Sequence, residues 1–164
     1  MPPVTRRPGH LRFGSTVTTL AEFAATATGG RGLVVMSTLH GQVISSSLVS
    51  AGVLAHPVTG TLVVGVVARA DSRKIANLRI ARRATLVAVE GYQWVAVEGP
   101  ADLAGPVDAL AGFDPAGVPR LLRQVFTAAG GRHPDWDEYD RRMREQQRTV
   151  VLVTPAAVYT NPTA

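Results

Sequence analysis

The chain reads as a mainly β protein, an antiparallel barrel with short helices at its edges. Three observations predict this. Six or seven short segments rich in β-branched residues are separated by turn signals. The links between the first three of them are too short for crossover helices, which disfavours a parallel α/β sheet. The helical patterns are short and stand between or outside the strands. With 164 residues, 46% of them hydrophobic, there is material for one core. Residues 1–14 are expected to be a flexible arm and 15–164 a single domain.

The arm, "MPPVTRRPGHLRFG", is punctuated by Pro2, Pro3, Pro8, Gly9 and Gly14 and shows no alternation. It has cations with no apolar run behind them, so neither a signal peptide nor an anchor is expected. Thr19 and Glu22 have capping-box spacing, and Leu20, Phe23, Ala24 and Ala27 recur at helical intervals behind them. Gly29, Gly30 and Gly32 end that helix. The strands "LVVMST", "QVISSSLVS" and "TLVVGVVA" follow, with turns expected at His40-Gly41 and from His56 to Gly60.

The third strand runs into "RADSRKIANLRIARR", residues 69–83, where Ile75, Leu78 and Arg79 allow a helix capped by Ser72. "ATLVAVE" and "QWVAVEGPADL" form a hairpin through Gly91-Tyr92. "VPRLLRQVFTAA" is helical, with Pro119 near its first turn, and "PDWDEYDRRMREQQ" is a charged helix starting at Pro134. "RTVVLVT" and "AAVYT" close the chain as one strand broken by Pro155 or as two.

Composition excludes several functions. The absence of cysteine removes disulfides, thiolate metal sites and thiol nucleophiles together, and the cytoplasm is the expected compartment. No apolar run approaches the roughly 18 to 20 residues that span a bilayer, so no membrane partner is expected. His10, His40, His56 and His133 lie far apart without ligand spacing. The carboxylates Asp135, Asp137, Glu138 and Asp140 alternate with arginines of the same helix, which favours i to i+4 pairing over a metal site. There is no nucleophile elbow, no phosphate-binding glycine loop and no zincin motif. Such a chain suits chemistry carried by a cofactor, where the protein supplies binding, orientation and electrostatics.

The charge is concentrated. The net charge is +5, and residues 69–83 alone hold six cations (Arg69, Arg73, Lys74, Arg79, Arg82, Arg83) against Asp71, a local balance that is also +5. This points to one local anionic partner rather than a general nucleic-acid binder, and no aromatic-interleaved stripe accompanies the segment. Lys74 is the only lysine in a chain whose alanine, valine, glycine and arginine usage fits a high-GC source. Ser72, Arg73 and Lys74 at a helix start offer a hydroxyl, two cations and free N–H groups; the segment is either an anion site or a solvated helix face. Ser45, Ser46 and Ser47 put hydroxyls on both faces of a strand, to bond either a polar ligand or neighbouring backbone. Tyr92, Gln93 and Trp94 are a resting place for a planar ring or ordinary hairpin packing.

Four segments in order, "RADSRKIANLRIARRATLVAV", "GYQWVAVEGPADL", "GRHPDWDEYDRRM" and "RTVVLVTPAAVYTNP", resemble the pyridoxamine 5′-phosphate oxidase-like (PPOX class) flavin and deazaflavin oxidoreductases. They resemble most the actinobacterial branch that uses coenzyme F420. The likeness covers roughly residues 16 to 162. It implies a split β-barrel, FMN-binding split barrel-like, with short peripheral helices, assembled as a homodimer with cofactor sites at the subunit interface. Val43, Ile44, Ser45, Ser46 and Ser47 would line the cofactor ring and its polyol chain. Val67, Ala68, Arg69, Ser72, Arg73 and Lys74 would hold the phosphate, with Asn77 following. Arg69, Arg79 or Arg82 would meet the anionic glutamate tail, and Tyr92, Gln93 and Trp94 would approach from the partner subunit.

The family's small-Asp-Gly-x-Pro turn reads Leu39 to Val43 here, which loosens the mapping of the ring-binding strand by about one residue, and its arginine-rich helix end reads Asn77 to Arg83. The implied function is F420-dependent hydride transfer between the deazaflavin and a small electron-poor acceptor, an enone, quinone or tetrapyrrole-like molecule. The alternatives are an FMN-binding oxidase or reductase of the same fold, and a non-catalytic F420 carrier.

Overall fold

Thr19 closes the capping box that its spacing predicts: its hydroxyl accepts from the Glu22 amide at 3.3 Å, and the Glu22 carboxylate accepts from the Thr19 amide at 2.6 Å. Helix α1, Leu20–Gly29, follows and buries Phe23 and Ala27. The computed structural model describes residues 19–161. The arm expected over residues 1–14 lies outside them.

Strands β1 (Leu33–His40), β2 (Val43–Ala55) and β3 (Leu62–Arg69) form an antiparallel meander. The first turn is Gly41-Gln42, one residue later than expected. His40 stays paired with Val43, and Gly41 takes φ +59°, the left-handed region that glycine enters without steric cost. At the second turn His56 is buried. Its Nδ1 accepts from the Val58 and Thr59 amides at 3.1 and 3.2 Å, so the ring proton sits on Nε2, 3.2 Å from the Asp102 carboxylate. His56 is thereby a strut between turn and barrel.

Helix α2, Arg73–Ile80, leads to the expected hairpin of β4 (Arg83–Glu90) and β5 (Gln93–Ala104) through Gly91-Tyr92. The closing segment is two strands, β6 (Arg148–Val153) and β7 (Ala157–Thr160). The sheet order is β4-β1-β2-β3-β6-β5-β7, and an added β4–β5 pairing closes six of the seven strands into a barrel with β7 on its flank. Every pairing is antiparallel.

Strand β2 runs further than its sequence pattern, through Gly52 to Ala55. Gly52 stands opposite Gly65 on β3. A Cβ at Gly52 would lie 2.2 Å from the Ala128 carbonyl carbon, so this glycine lets helix α3, Val118–Ala128, rest its end directly on the strand. Helix α4, Trp136–Glu145, begins two residues after Pro134 because Asp135 takes the cap, accepting from the Asp137 and Glu138 amides at 3.0 and 3.1 Å. Glu138 pairs with Arg142 one turn on, at 2.8 Å. Asp140 instead reaches across to Arg123 of α3 at 2.6 and 2.9 Å.

The apolar residues pack in two bodies. The barrel interior holds Met36, Leu86 and Val97 together with Phe23 of α1 and Ile75 and Leu78 of α2. A second layer, with Val63, Leu121, Val125 and Leu152, joins α3 and α4 to the outer wall. Each such fully buried side chain contributes about 1.5 to 3 kcal/mol. Among the described residues, no helix is long and apolar enough to cross a membrane.

Candidate functional site

The β2–β3 ladder runs from Ala55 opposite Leu62 to Ala51 opposite Val66 and stops there. Beyond it β2 stays paired with β1, and β3 with β6. The two strands therefore part. A cavity of about 430 Å³ occupies the parting, walled by Leu48, Val49 and Ser50 on one side and by Val67, Ala68 and Arg69 on the other. Val125, Phe126 and Ala129 of the α3 region and Tyr139 and Met143 of α4 cover it, while Ser72, Lys74 and Arg148 complete the wall.

Five residues expected at a phosphate, Val67, Ala68, Arg69, Ser72 and Lys74, are thus brought together. Ser72 holds the cap position of α2 but makes no capping bond. Its hydroxyl oxygen is instead buried with no hydrogen-bond partner, and such an atom costs stability unless a ligand or water bonds it. Arg73 opens α2 and is exposed, away from the cavity wall.

Other expected residues lie elsewhere. Asn77 is buried and donates to the Thr38 hydroxyl at 3.1 Å, tying α2 to β1. Arg79 holds Asp108 by two bonds of 2.8 Å, and this pairing raises its pKa above the usual arginine value. Val43, Ile44, Ser45, Ser46 and Ser47 precede the wall, which starts one residue later at Leu48. Ser46 shares a hydrogen bond of 2.8 Å with Ser37 across the strands. Ser45 and Ser47, opposite Thr38 and Met36, are half-buried.

Tyr92 is 99% exposed at the hairpin tip, and Gln93 is exposed beside it. Trp94 packs edge-on against Tyr159, centroids 6.2 Å apart, and its carbonyl accepts from the Thr160 hydroxyl. None of Tyr92, Gln93 and Trp94 lines the cavity of its own chain.

The electrostatics of the wall centre on arginines. The Asp71 carboxylate bonds Arg69 at 3.0 and 2.9 Å; this bond lowers the carboxyl pKa and raises that of the guanidinium. Arg148 is partly buried, and burial, then the charge of Arg69, pushes its pKa below the ordinary arginine value. An arginine so placed remains charged. Burial raises the Tyr139 hydroxyl to about 12, and that hydroxyl donates to the Leu122 carbonyl at 3.3 Å.

Sequence reasoning missed Arg148 and the cover formed by α3 and α4. Arg148 opens "RTVVLVT", and only the pairing of β6 with β3 sets it opposite Arg69. The Gly52–Gly65 pair was the available signal for a helix lying on these strands.

No family profile matches this chain, and no curated protein matches it in sequence. Solved structures do. One is a conserved hypothetical protein from Mycobacterium tuberculosis, with TM-score 0.63 and 17% identity over 89% of this chain and 86% of that one. Another is a pyridoxamine 5′-phosphate oxidase-related, FMN-binding protein from Nostoc punctiforme, with TM-score 0.61 and 13% identity over 89% and 84%. An F420 reductase matches with TM-score 0.52 and 11% identity over 77% and 88%. At these identities the likeness is one of fold: the chain has the split β-barrel fold of the pyridoxamine 5′-phosphate oxidase-related, FMN-binding proteins.

Proposed function

We propose that the cavity between β2 and β3 takes the phosphate of a flavin-type cofactor, coenzyme F420 ahead of FMN. On this reading the protein is an oxidoreductase acting on a small electron-poor acceptor such as an enone, a quinone or a tetrapyrrole. One observation carries the reading: the unpartnered hydroxyl of Ser72 stands in the same cavity wall as Lys74, the only lysine of the chain. A phosphate asks for such a hydroxyl beside a cation.

When bound, the cofactor ring supplies the hydride chemistry. The chain's residues bind and orient. Lys74 neutralises the phosphate and Ser72 donates to it. Val67 and Ala68, where β3 has left β2, offer main-chain groups for alignment. Burial raises the Tyr139 hydroxyl to about 12, and its hydrogen bond to the Leu122 carbonyl engages it within the cover of the cavity. The preference for F420 rests on cations in excess of one phosphate, Arg69 and Arg148 beside Lys74, which suit a ligand with an anionic tail. Separate titrations with F420 and FMN, followed by tryptophan fluorescence, test this. Micromolar FMN binding without F420 binding would reverse the preference, and binding of neither would sink the reading. Stopped-flow oxidation of reduced F420 against enones, quinones and biliverdin then separates enzyme from carrier.

The same reading includes a homodimer. Leu33, Val35 and Leu39 of β1, Ile44 and Leu48 of β2 and Val89 of β4 are all exposed, and the register sets Val35 opposite Leu48 and Leu39 opposite Ile44. These residues share one face of the sheet, interrupted by the Ser37–Ser46 pair, and an exposed apolar face of this kind marks an interface. Light scattering on the wild type at tens of micromolar should give twice the chain mass, and Ile44→Glu should give the single-chain mass. A monomeric wild type would remove the dimer from the proposal.

A further inference from the structure

Arg69 and Arg148 stand directly opposite each other in the β3–β6 ladder, and both line the cavity. Like charges opposed across antiparallel strands destabilise the pair. Asp71 answers only half of this. It grips Arg69 through both oxygens at 3.0 and 2.9 Å. Arg148 has the neutral Gln146 side chain on its Nε at 2.9 Å and makes no ion pair among the described residues. Two cations in one cavity wall thus share a single carboxylate, and the less exposed of them lacks a charged partner.

We propose that Arg69 and Arg148 form a subsite for an anionic group of the ligand, and that Asp71 is a resident counter-ion which this group displaces. The ligand class is then an organic molecule with two separately ionised groups, one at Ser72 and Lys74 and one between the arginines. The ligand's identity rests on the function proposed above; the subsite rests on the strand register and the cavity. Arg148 is a binding residue whose cost to the ligand-free protein is the repulsion it brings. A structural arginine would behave in the opposite way, since its loss would weaken the fold.

The test uses the full chain with Arg148→Gln, Arg148→Lys and Asp71→Asn. Thermal melting is measured with and without inorganic phosphate, and affinity is measured for F420 and FMN. Without ligand, Arg148→Gln should melt at or above the wild-type temperature. It should lose the part of the phosphate stabilisation that the arginines supply and bind the preferred cofactor about tenfold more weakly or worse, with Arg148→Lys restoring much of the loss. Asp71→Asn should bind that cofactor several-fold more tightly. A lower melting temperature for Arg148→Gln with unchanged affinity makes Arg148 structural and overturns the subsite. Binding to Asp71→Asn that is no tighter than wild type overturns the displacement. If phosphate protects the wild type more than it protects Arg148→Gln while neither F420 nor FMN binds, the subsite stands and the cofactor reading falls. If F420, which carries both a phosphate and an anionic tail, binds Arg148→Gln as it binds wild type, the cofactor reading stands and the subsite falls.

Discussion

Lys74→Ala is expected to weaken cofactor binding by about 1.5 to 3 kcal/mol, roughly ten- to 150-fold, as the loss of a charge-assisted contact. The loss should be partly recovered by Lys74→Arg, which keeps the charge but replaces a compact ammonium with a planar fork. Titration by tryptophan fluorescence measures both. Because Lys74 is the only lysine, an amine-reactive reagent gives an independent reading. Modification of the peptide that carries it should slow when the cofactor is present. Unchanged affinity in Lys74→Ala would remove this residue from the site, whatever else binds there.

Gly52→Ala should destabilise the protein by about 3 kcal/mol, because a methyl group is forced against main chain rather than a yielding side chain. Its neighbours are the Ala128 carbonyl carbon and oxygen and the Ala129 nitrogen, at 2.2, 2.4 and 2.4 Å from an added Cβ. The end of α3 must lift to admit it. For a chain of this length the melting temperature should fall by roughly 6 to 12 °C. Val125, Phe126 and Ala129 line the cavity, so the same shift should also lower cofactor affinity. A melting temperature within a degree of wild type would show that α3 does not bear on β2 as described.

The strands were legible because their alternation and their turn glycines are local. Thr19 and Glu22 announced α1, and Gly91 announced the hairpin, for the same reason. What escaped depends on distant partners. The need for glycine at position 52 shows only once α3 lies on it, and Asp108 is invisible as the mate of Arg79 because 29 residues separate them. The candidate site was legible in part. Ser72 and Lys74 follow a strand and open a helix, which is a local pattern, and the structure places both in the cavity wall. Arg148 comes from the far end of the barrel's connectivity, and no local pattern marks it. The serine run stands just before the wall, which takes up β2 where it leaves β3, at Leu48 to Ser50.

The parting of β2 from β3 also bears on how the protein avoids sticking to itself. It leaves two stretches of strand, Leu48–Ser50 and Val67–Arg69, without ladder partners toward each other. Unpaired strand margins in a β protein invite a neighbouring chain to add itself to the sheet. Here both margins border a hollow covered by α3 and α4, with Arg69 at the end of one of them. A water molecule or a small ligand can satisfy those main-chain groups, while the two helices and the charge stand in the way of another strand.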